Sequence, residues 1–352
     1  MVLAVNPGST STKVALYEGN DLVAQESLNH SAEEVAKFPH VVDQLGMRTQ
    51  AVAAFLERQH VAVSSLEAIM ARGGLLHPVA AGIYFVNDRM LQDSREMRVA
   101  EHASYLGALV AHELCAGTKI PCYIAYPVSV DEFDDIARIS GLKELPRFSF
   151  LHALNIRKVA YKMAERHGKN LGDMNMIIAH LGGGISIASL RHGRMVDEND
   201  ANNGGPYAPE RAGCMPACSL VRLCFAPGAT EQGMKRQLTQ QGGLVSHLGT
   251  NDAREVHRRV DAGDAQAGLV YEGMAYQIAK QIGSMSTVLE GDVDVIVLTG
   301  GLAHDDLLMQ WITDRVGFIA PVEIVPGENE LEALNEAYLR LRQGLETAKT
   351  YD

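Results

Sequence analysis

Apolar residues along this chain come in short runs that stop at polar, glycine-bearing turns. Val2-Leu3-Ala4-Val5 runs into Asn6-Pro7-Gly8-Ser9-Thr10-Ser11-Thr12-Lys13, and Val14-Ala15-Leu16-Tyr17 follows, a strand-turn-strand pattern. The pattern returns at Met176-Ile177-Ile178-Ala179, where His180-Leu181-Gly182-Gly183-Gly184 forms the turn and 185–190 the returning strand. A third run, Val293-Asp294-Val295-Ile296-Val297-Leu298, delivers Thr299-Gly300-Gly301 at its end, as a buried strand would. Three such turns, two of them hairpins half a chain apart, predict a duplicated α/β domain closing on one nucleotide.

The segments between them alternate in period. Ser31-Ala32-Glu33-Glu34 has capping-box spacing and predicts a helix through Val35, Phe38, Val42 and Leu45, with a second amphipathic segment around Val52, Phe55 and Leu56. Short strands are expected at 66–71, ending at Arg72-Gly73-Gly74, at 83–86, and at 122–126, stopped by Pro127. Helical spacing covers 90–115, 152–164, 271–289 and 331–345. The loop 197–216, rich in Asn, Gly and Pro, is long enough to point to a functional role. The polar stretch 141–147 is the expected boundary between a domain at 1–147, joined by the C-terminal helix 328–352, and a second at 148–327.

Composition narrows the class. At 352 residues the chain exceeds what one core usually holds. A formal charge of −12 disfavours nonspecific binding to nucleic acid or an anionic membrane, so an anionic ligand must be held by local cations and donors. No apolar run reaches the length of a membrane span and the first residues read as a strand, which makes the cytoplasm the default. Five cysteines without CxxC spacing indicate neither a disulfide framework nor a zinc site, and the 13 histidines include no HExxH pattern.

The first turn has the chemistry of a phosphate cradle. Gly8 admits a close anion, Ser9, Thr10, Ser11 and Thr12 offer hydroxyls, and Lys13 adds charge. It is not a Walker A loop, because the glycine before the lysine is missing and a strand follows. An ordinary hairpin turn is the alternative for this segment taken alone. Gly182, Gly183 and Gly184 clear every side chain from one approach face.

Taken together, the turns at 6–13 and 180–184, Arg72-Gly73-Gly74, Pro209-Glu210-Arg211 and Leu298-Thr299-Gly300-Gly301 resemble the acetokinase family, within the acetate and sugar kinase, actin and hexokinase superfamily. His30-Ser31-Ala32-Glu33-Glu34, His102-Ala103-Ser104, Ala137-Arg138-Ile139-Ser140-Gly141 and His152-Ala153-Leu154-Asn155 are similar to its butyrate kinase branch. The resemblance implies two ribonuclease H-like domains of the actin/hexokinase type with an interdomain nucleotide cleft. It also implies reversible phosphoryl transfer from ATP to a short-chain fatty acid, giving ADP and an acyl phosphate, with Mg2+ and a homodimeric assembly.

Residue roles follow from the same likeness. Arg72, His102, His152 and Arg211 match catalytic positions. Asn6 matches a residue near the magnesium and the phosphates, and Ser9, Thr10, Ser11 and Lys13 line the β and γ phosphates. His180, Gly182, Gly183 and Gly184 approach from the other domain, and Gly300 and Gly301 match the adenosine motif. A carboxylate is already ionised at neutral pH, so the reaction needs no general base and must instead suppress repulsion between two anions. The planar arginine fork suits both anions. A surface ion pair remains the alternative for either arginine, and a satisfied interior ring for either His152 or His180.

Three positions depart from the branch. Tyr126-Pro127 stands where Asp-Pro is usual, Tyr105 where Asn is usual, and Ile185 where a hydroxyl residue is common. Asp131, Glu132, Asp134 and Asp135 are substitutes for the missing acid by composition alone. Tyr126 opens the alternative of a catalytically impaired homologue that binds nucleotide or acyl phosphate, and a kinase for acetate or propionate is a further one.

Overall fold

Two glycine-turn meanders found two separate sheets. The computed structural model describes residues 1–97 and 102–352. Its strands are β1 (Val2–Pro7), β2 (Ser11–Glu18), β3 (Asp21–Asn29), β4 (Ala68–Arg72), β5 (Ile83–Phe85), β6 (Cys122–Ala125), β7 (Met176–Leu181), β8 (Ile185–Arg191), β9 (Arg194–Glu198), β10 (Val295–Gly300), β11 (Val322–Pro326) and β12 (Ala348–Lys349). The chain divides into two compact units, 1–131 with 329–352, and 132–328. The polar segment 141–147 lies within the second by this division.

In the first unit the sheet runs β12-β5-β6-β4-β1-β2-β3. β1, β2 and β3 form an antiparallel meander, while β4 and β6 continue parallel to β1. β1 is buried along its whole length, which is why its sequence is a continuous apolar run rather than an alternation. Leu3, Val5, Val14, Leu16 and Ile69 pack against Val52, Phe55 and Leu56 of the helix Leu45–Arg58 and against Leu106, Leu109 and Val110 of the helix Leu106–Cys115. The helix Glu330–Arg342 packs on β1 and β4, and β12 closes the far edge beside β5.

Two expectations for this unit are corrected. The capping box forms, with Ser31 Oγ accepting from the Glu34 amide at 3.2 Å and Glu34 Oε2 from the Ser31 amide at 2.8 Å, but its helix is only Ala32–Val35. Pro39 bars Phe38 from continuing the helix, so a 3-10 turn at Val41–Gln44 intervenes before Leu45. The 90–115 pattern is likewise two helices. Asp88–Glu96 ends at Met97 in the left-handed conformation (φ 43°), and Leu106–Cys115 begins after a 3-10 turn at Ala103–Tyr105; positions 98–101 of that pattern lie outside the described residues. β3 escaped the sequence reading because it is largely exposed and carries no apolar alternation.

The second unit repeats the plan. Its sheet runs β11-β10-β7-β8-β9, with β7, β8 and β9 an antiparallel meander and β10 and β11 parallel to β7. The succession β3-β2-β1-β4-β6 of one unit therefore matches β9-β8-β7-β10-β11 of the other, the duplication that the repeated turns predicted. The long helix Ala265–Val288 buries Tyr271, Met274, Ile278 and Ile282 against this sheet.

Candidate active site

In the first unit, Asn6 pairs with Lys13 and Pro7 with Thr12 across β1 and β2, so the open turn is only Gly8, Ser9 and Thr10. Arg48 holds it from behind. This side chain is fully buried and donates to the carbonyls of Gly8 (2.8 Å), Ser9 (3.1 Å) and Ser11 (3.1 Å), to Thr12 Oγ1 (3.1 Å) and to Gln44 Oε1 (2.8 Å). Because a trans peptide sets C=O and the following N–H on opposite sides, carbonyls 8 and 9 turned towards Arg48 aim the amides of Ser9 and Thr10 away from it. Among the described residues no carboxylate pairs with Arg48, and burial pushes its pKa down to about 10, still cationic at neutral pH. The turn thus has outward donors, with Ser9, Thr10 and Lys13 exposed, over a buried positive charge.

Arg72 ends β4 and pairs with Glu330 Oε1 at 2.9 Å. The other carboxylate oxygen accepts from the Asn6 side-chain amide, and Asn6 Oδ1 is buried with no hydrogen-bond partner among the described residues. Glu330 thus supplies the carboxylate beside Asn6, a residue hidden from sequence reasoning inside a helical pattern. Of the acids weighed as substitutes for position 126, Glu132 pairs with Arg157 (3.2 Å) and Asp134 with Arg191 (2.6 Å).

Tyr126 has a structural place. It is buried with φ 41°, its amide donates to the Gly82 carbonyl at 2.9 Å, and its hydroxyl donates to Glu346, which also accepts from Arg340 Nε at 2.5 Å. The hydroxyl of Tyr105, also buried, donates to the Leu75 carbonyl. His102 is extended rather than helical, and its Nδ1 caps the following 3-10 turn by accepting from the Ser104 amide at 3.2 Å.

In the second unit, Gly182, Gly183 and Gly184 turn between β7 and β8, closed by the Gly182 amide donating to the Gly184 carbonyl at 3.2 Å. The Arg211 guanidinium lies directly on Gly184, where any Cβ would overlap it, and Nη1 donates to the Ala201 carbonyl at 3.0 Å. Burial lowers the Arg211 pKa, while Glu210 and Asp200 oppose that shift. His152, N-cap of the helix Ala153–Arg166, stacks on His180 with ring centroids 4.0 Å apart and 14° between planes. Ser186 Oγ lies 2.9 Å from His152 Nδ1, and His180 Nε2 is 3.5 Å from Glu328 Oε1, beside Gly182. The glycine turn, Arg211 and both imidazoles therefore form one cluster.

Glu198 braces that cluster. Its buried carboxylate accepts from the amides of Phe150 (2.9 Å) and Asp200 (2.6 Å), tying the segment before His152 to the loop that leads to Arg211. Burial raises its pKa well above the usual carboxylate range.

Gly300 closes β10 with φ 94°, and a Cβ there would strike the Leu181 backbone, so only glycine lets the two strand ends meet. Gly301 opens instead onto a cavity of about 960 Å³ lined by Asn251, Asp252, Arg254, His257 and Asp305, a size suited to a nucleoside. Sequence reasoning missed this wall. The available signal was Asp252, whose side chain accepts from the Arg254 amide and caps the helix Ala253–Asp261.

Comparison with known proteins agrees with this geometry. The sequence profile of the acetokinase family matches residues 145–312. A protein of Caldanaerobacter subterraneus subsp. tengcongensis described as probable butyrate kinase 2 is 49% identical over 350 residues, 99% of each chain. Among solved structures, Porphyromonas gingivalis acetate kinase superposes with a TM-score of 0.79 at 18% identity, covering 97% of this chain and 99% of its own. A propionate kinase from Francisella tularensis gives 0.76 at 18% identity, with 95% and 98% covered. These two likenesses carry the fold, and the full-length relative carries the kinship: the chain belongs to the acetokinase family.

Proposed function

We propose that this protein is a butyrate kinase, passing the γ-phosphoryl group of ATP to the carboxylate of a short-chain fatty acid and running reversibly. The observation that carries the reading is the 49% identity, over 99% of both chains, to a protein described as probable butyrate kinase 2. One carboxylate oxygen attacks the γ-phosphorus, the bond to the β-phosphate oxygen breaks, and ADP leaves with that electron pair. The protein's task is to hold two anions in line. Arg72 and Arg211 take the carboxylate and the transferring group, and His152 donates to the equatorial oxygens; His102 belongs to the same proposed set. Ser9, Thr10, Ser11 and Lys13 hold the β and γ phosphates, with His180 and Gly182, Gly183 and Gly184 at the transferring group. Gly300, Gly301 and the adjoining cavity receive the adenosine.

Magnesium fits the first-unit residues. The unpartnered, buried Asn6 Oδ1 and the neighbouring Glu330 carboxylate are the hard oxygen donors that this ion prefers. Asn6 and Glu330 would hold it, directly or through water, and bound magnesium would neutralise charge on the phosphate oxygens. The engaged, buried position of Tyr126 supports a bracing role for that residue and does not favour the reading of an impaired homologue.

Homodimeric assembly and a cytoplasmic location belong to the same proposal. Light scattering should give a mass near twice the 38.1 kDa of the chain. Among the described residues, no helix is long and apolar enough to cross a membrane. To test the function, purified protein is incubated with ATP, magnesium and hydroxylamine and a panel of acids from acetate to valerate, including isobutyrate. Hydroxamate should be highest with the four-carbon acids; no hydroxamate with any acid would remove the proposal.

A further inference from the structure

His180 is almost completely buried, and its Nδ1 lies 2.8 Å from the side-chain nitrogen of Asn155. What orients that amide is the next partner in line. Asn155 Nδ2 also reaches Thr299 Oγ1 at 3.4 Å, and Thr299 directs its hydroxyl at the Gly327 carbonyl 3.3 Å away. A hydroxyl has one proton, so once Thr299 donates to Gly327 it can only accept from Asn155. The nitrogen of the amide, not its oxygen, then faces both Thr299 and His180. Nδ1 must accept, and the ring proton resides on Nε2. The far side of the ring agrees, because Nε2 faces the Glu328 carboxylate at 3.5 Å, which attracts an N–H and repels a lone pair.

We infer that Asn155 is a positioning residue that holds His180 in the Nε2–H tautomer, so that the ring presents a hydrogen-bond donor towards the Gly182 turn. A donor there suits a phosphoryl oxygen, whereas an imidazole lone pair would repel one. The use of the device rests on the proposed kinase reading, in which that turn receives the transferring group. The charged and titratable groups around the ring are His152, stacked on it at 4.0 Å, Glu328 at Nε2, and Arg211 across Gly184. Asn155 lies one helical turn beyond His152, so a single helix start sets both rings.

The direct test is long-range proton–nitrogen NMR of the imidazoles in the uniformly 15N-labelled full-length protein near neutral pH, with His180 assigned by its loss in His180→Gln. A protonated Nε2 with an unprotonated Nδ1 is expected, and the reverse pattern would overturn the inference without recourse to any variant. Asn155→Asp, whose ionised carboxylate only accepts, should draw the proton to Nδ1. It should also lower kcat at least tenfold while changing KM for the acid less than threefold. If that variant does not fold, Asn155→Ala should give mixed tautomers with a smaller fall in kcat. Inverted tautomer with unchanged kcat would overturn the positioning role. The expected tautomer in a protein devoid of transferase activity would support the relay and remove only the functional reading.

Discussion

Arg48 shows how one side chain can shape a site it need not touch. Its donors fix three carbonyls of the first turn, so Arg48→Met strips that donor from the part-buried Gly8 and Ser9 carbonyls and leaves the Ser11 carbonyl with the Gly8 amide. A loss of ~3 kcal/mol in stability is expected, together with a rise of about tenfold in KM for ATP, from chemical denaturation and steady-state kinetics. An unchanged KM would confine Arg48 to folding. The residue was partly legible: positions 48, 52, 55 and 56 fall on one helical stripe, and a charge among buried apolar positions marks a functional or bracing cation. Its neighbour His30 shares Thr12 Oγ1 at 2.9 Å, and burial first, then Arg48, lowers the His30 pKa below 6.5. A depressed folded-state pKa contributes stability that is present above the unfolded value and is lost as pH falls through the folded one. Melting temperature should therefore drop below about pH 6.5, and His30→Gln should flatten that limb in calorimetry; an unaltered limb would assign the acid loss to other groups.

On the proposed reading, the turns are the elements on which the chemistry depends. Gly184→Ala drives a methyl group into the Arg211 guanidinium, so kcat/KM should fall by about 100-fold or more with a melting shift of about 2 °C or less. Arg211→Ala should give a comparable loss, and full activity in either variant would take the arginine out of the transfer step. The C-terminal segment is a different kind of element. Tyr351 is buried, stacks on His77 at 4.1 Å and donates to Asp93 at 2.8 Å, so Tyr351→Ala should cost ~3–5 kcal/mol in urea unfolding. A cost below that of a surface substitution would show that the segment is dispensable to the first unit. The glycine hairpins were legible because a buried strand writes a run of apolar residues and a tight turn excludes side chains. The helices Ala217–Cys224 and Glu231–Thr239 were not, since neither buries a residue against a core. Glu330 was hidden for the opposite reason, standing in a helix whose periodicity explains it without any ligand.

At the scale of the molecule, duplication is the organising fact. Each unit has its own meander, its own parallel continuation and its own apolar core, and each places a glycine turn at the end of its first strand. The repeated motif made the duplication readable, while the strand order within each sheet rested on contacts between distant segments that no local pattern encodes. On the proposed kinase reading, a chain carrying −12 overall would handle anionic substrates through a few placed cations, Arg72 and Arg211 foremost, with Arg48 behind the first turn. The most direct test of carboxylate phosphorylation supplies butyrate labelled with 18O in both carboxyl oxygens, together with ATP, magnesium and hydroxylamine. Attack by the carboxylate places one labelled oxygen in the P–O–C bridge, and hydroxylamine then cleaves the acyl C–O bond. Phosphate released with one 18O, read by its 31P shift, is the predicted result; ATP consumed with only unlabelled phosphate would mean that water is the acceptor and would contradict it.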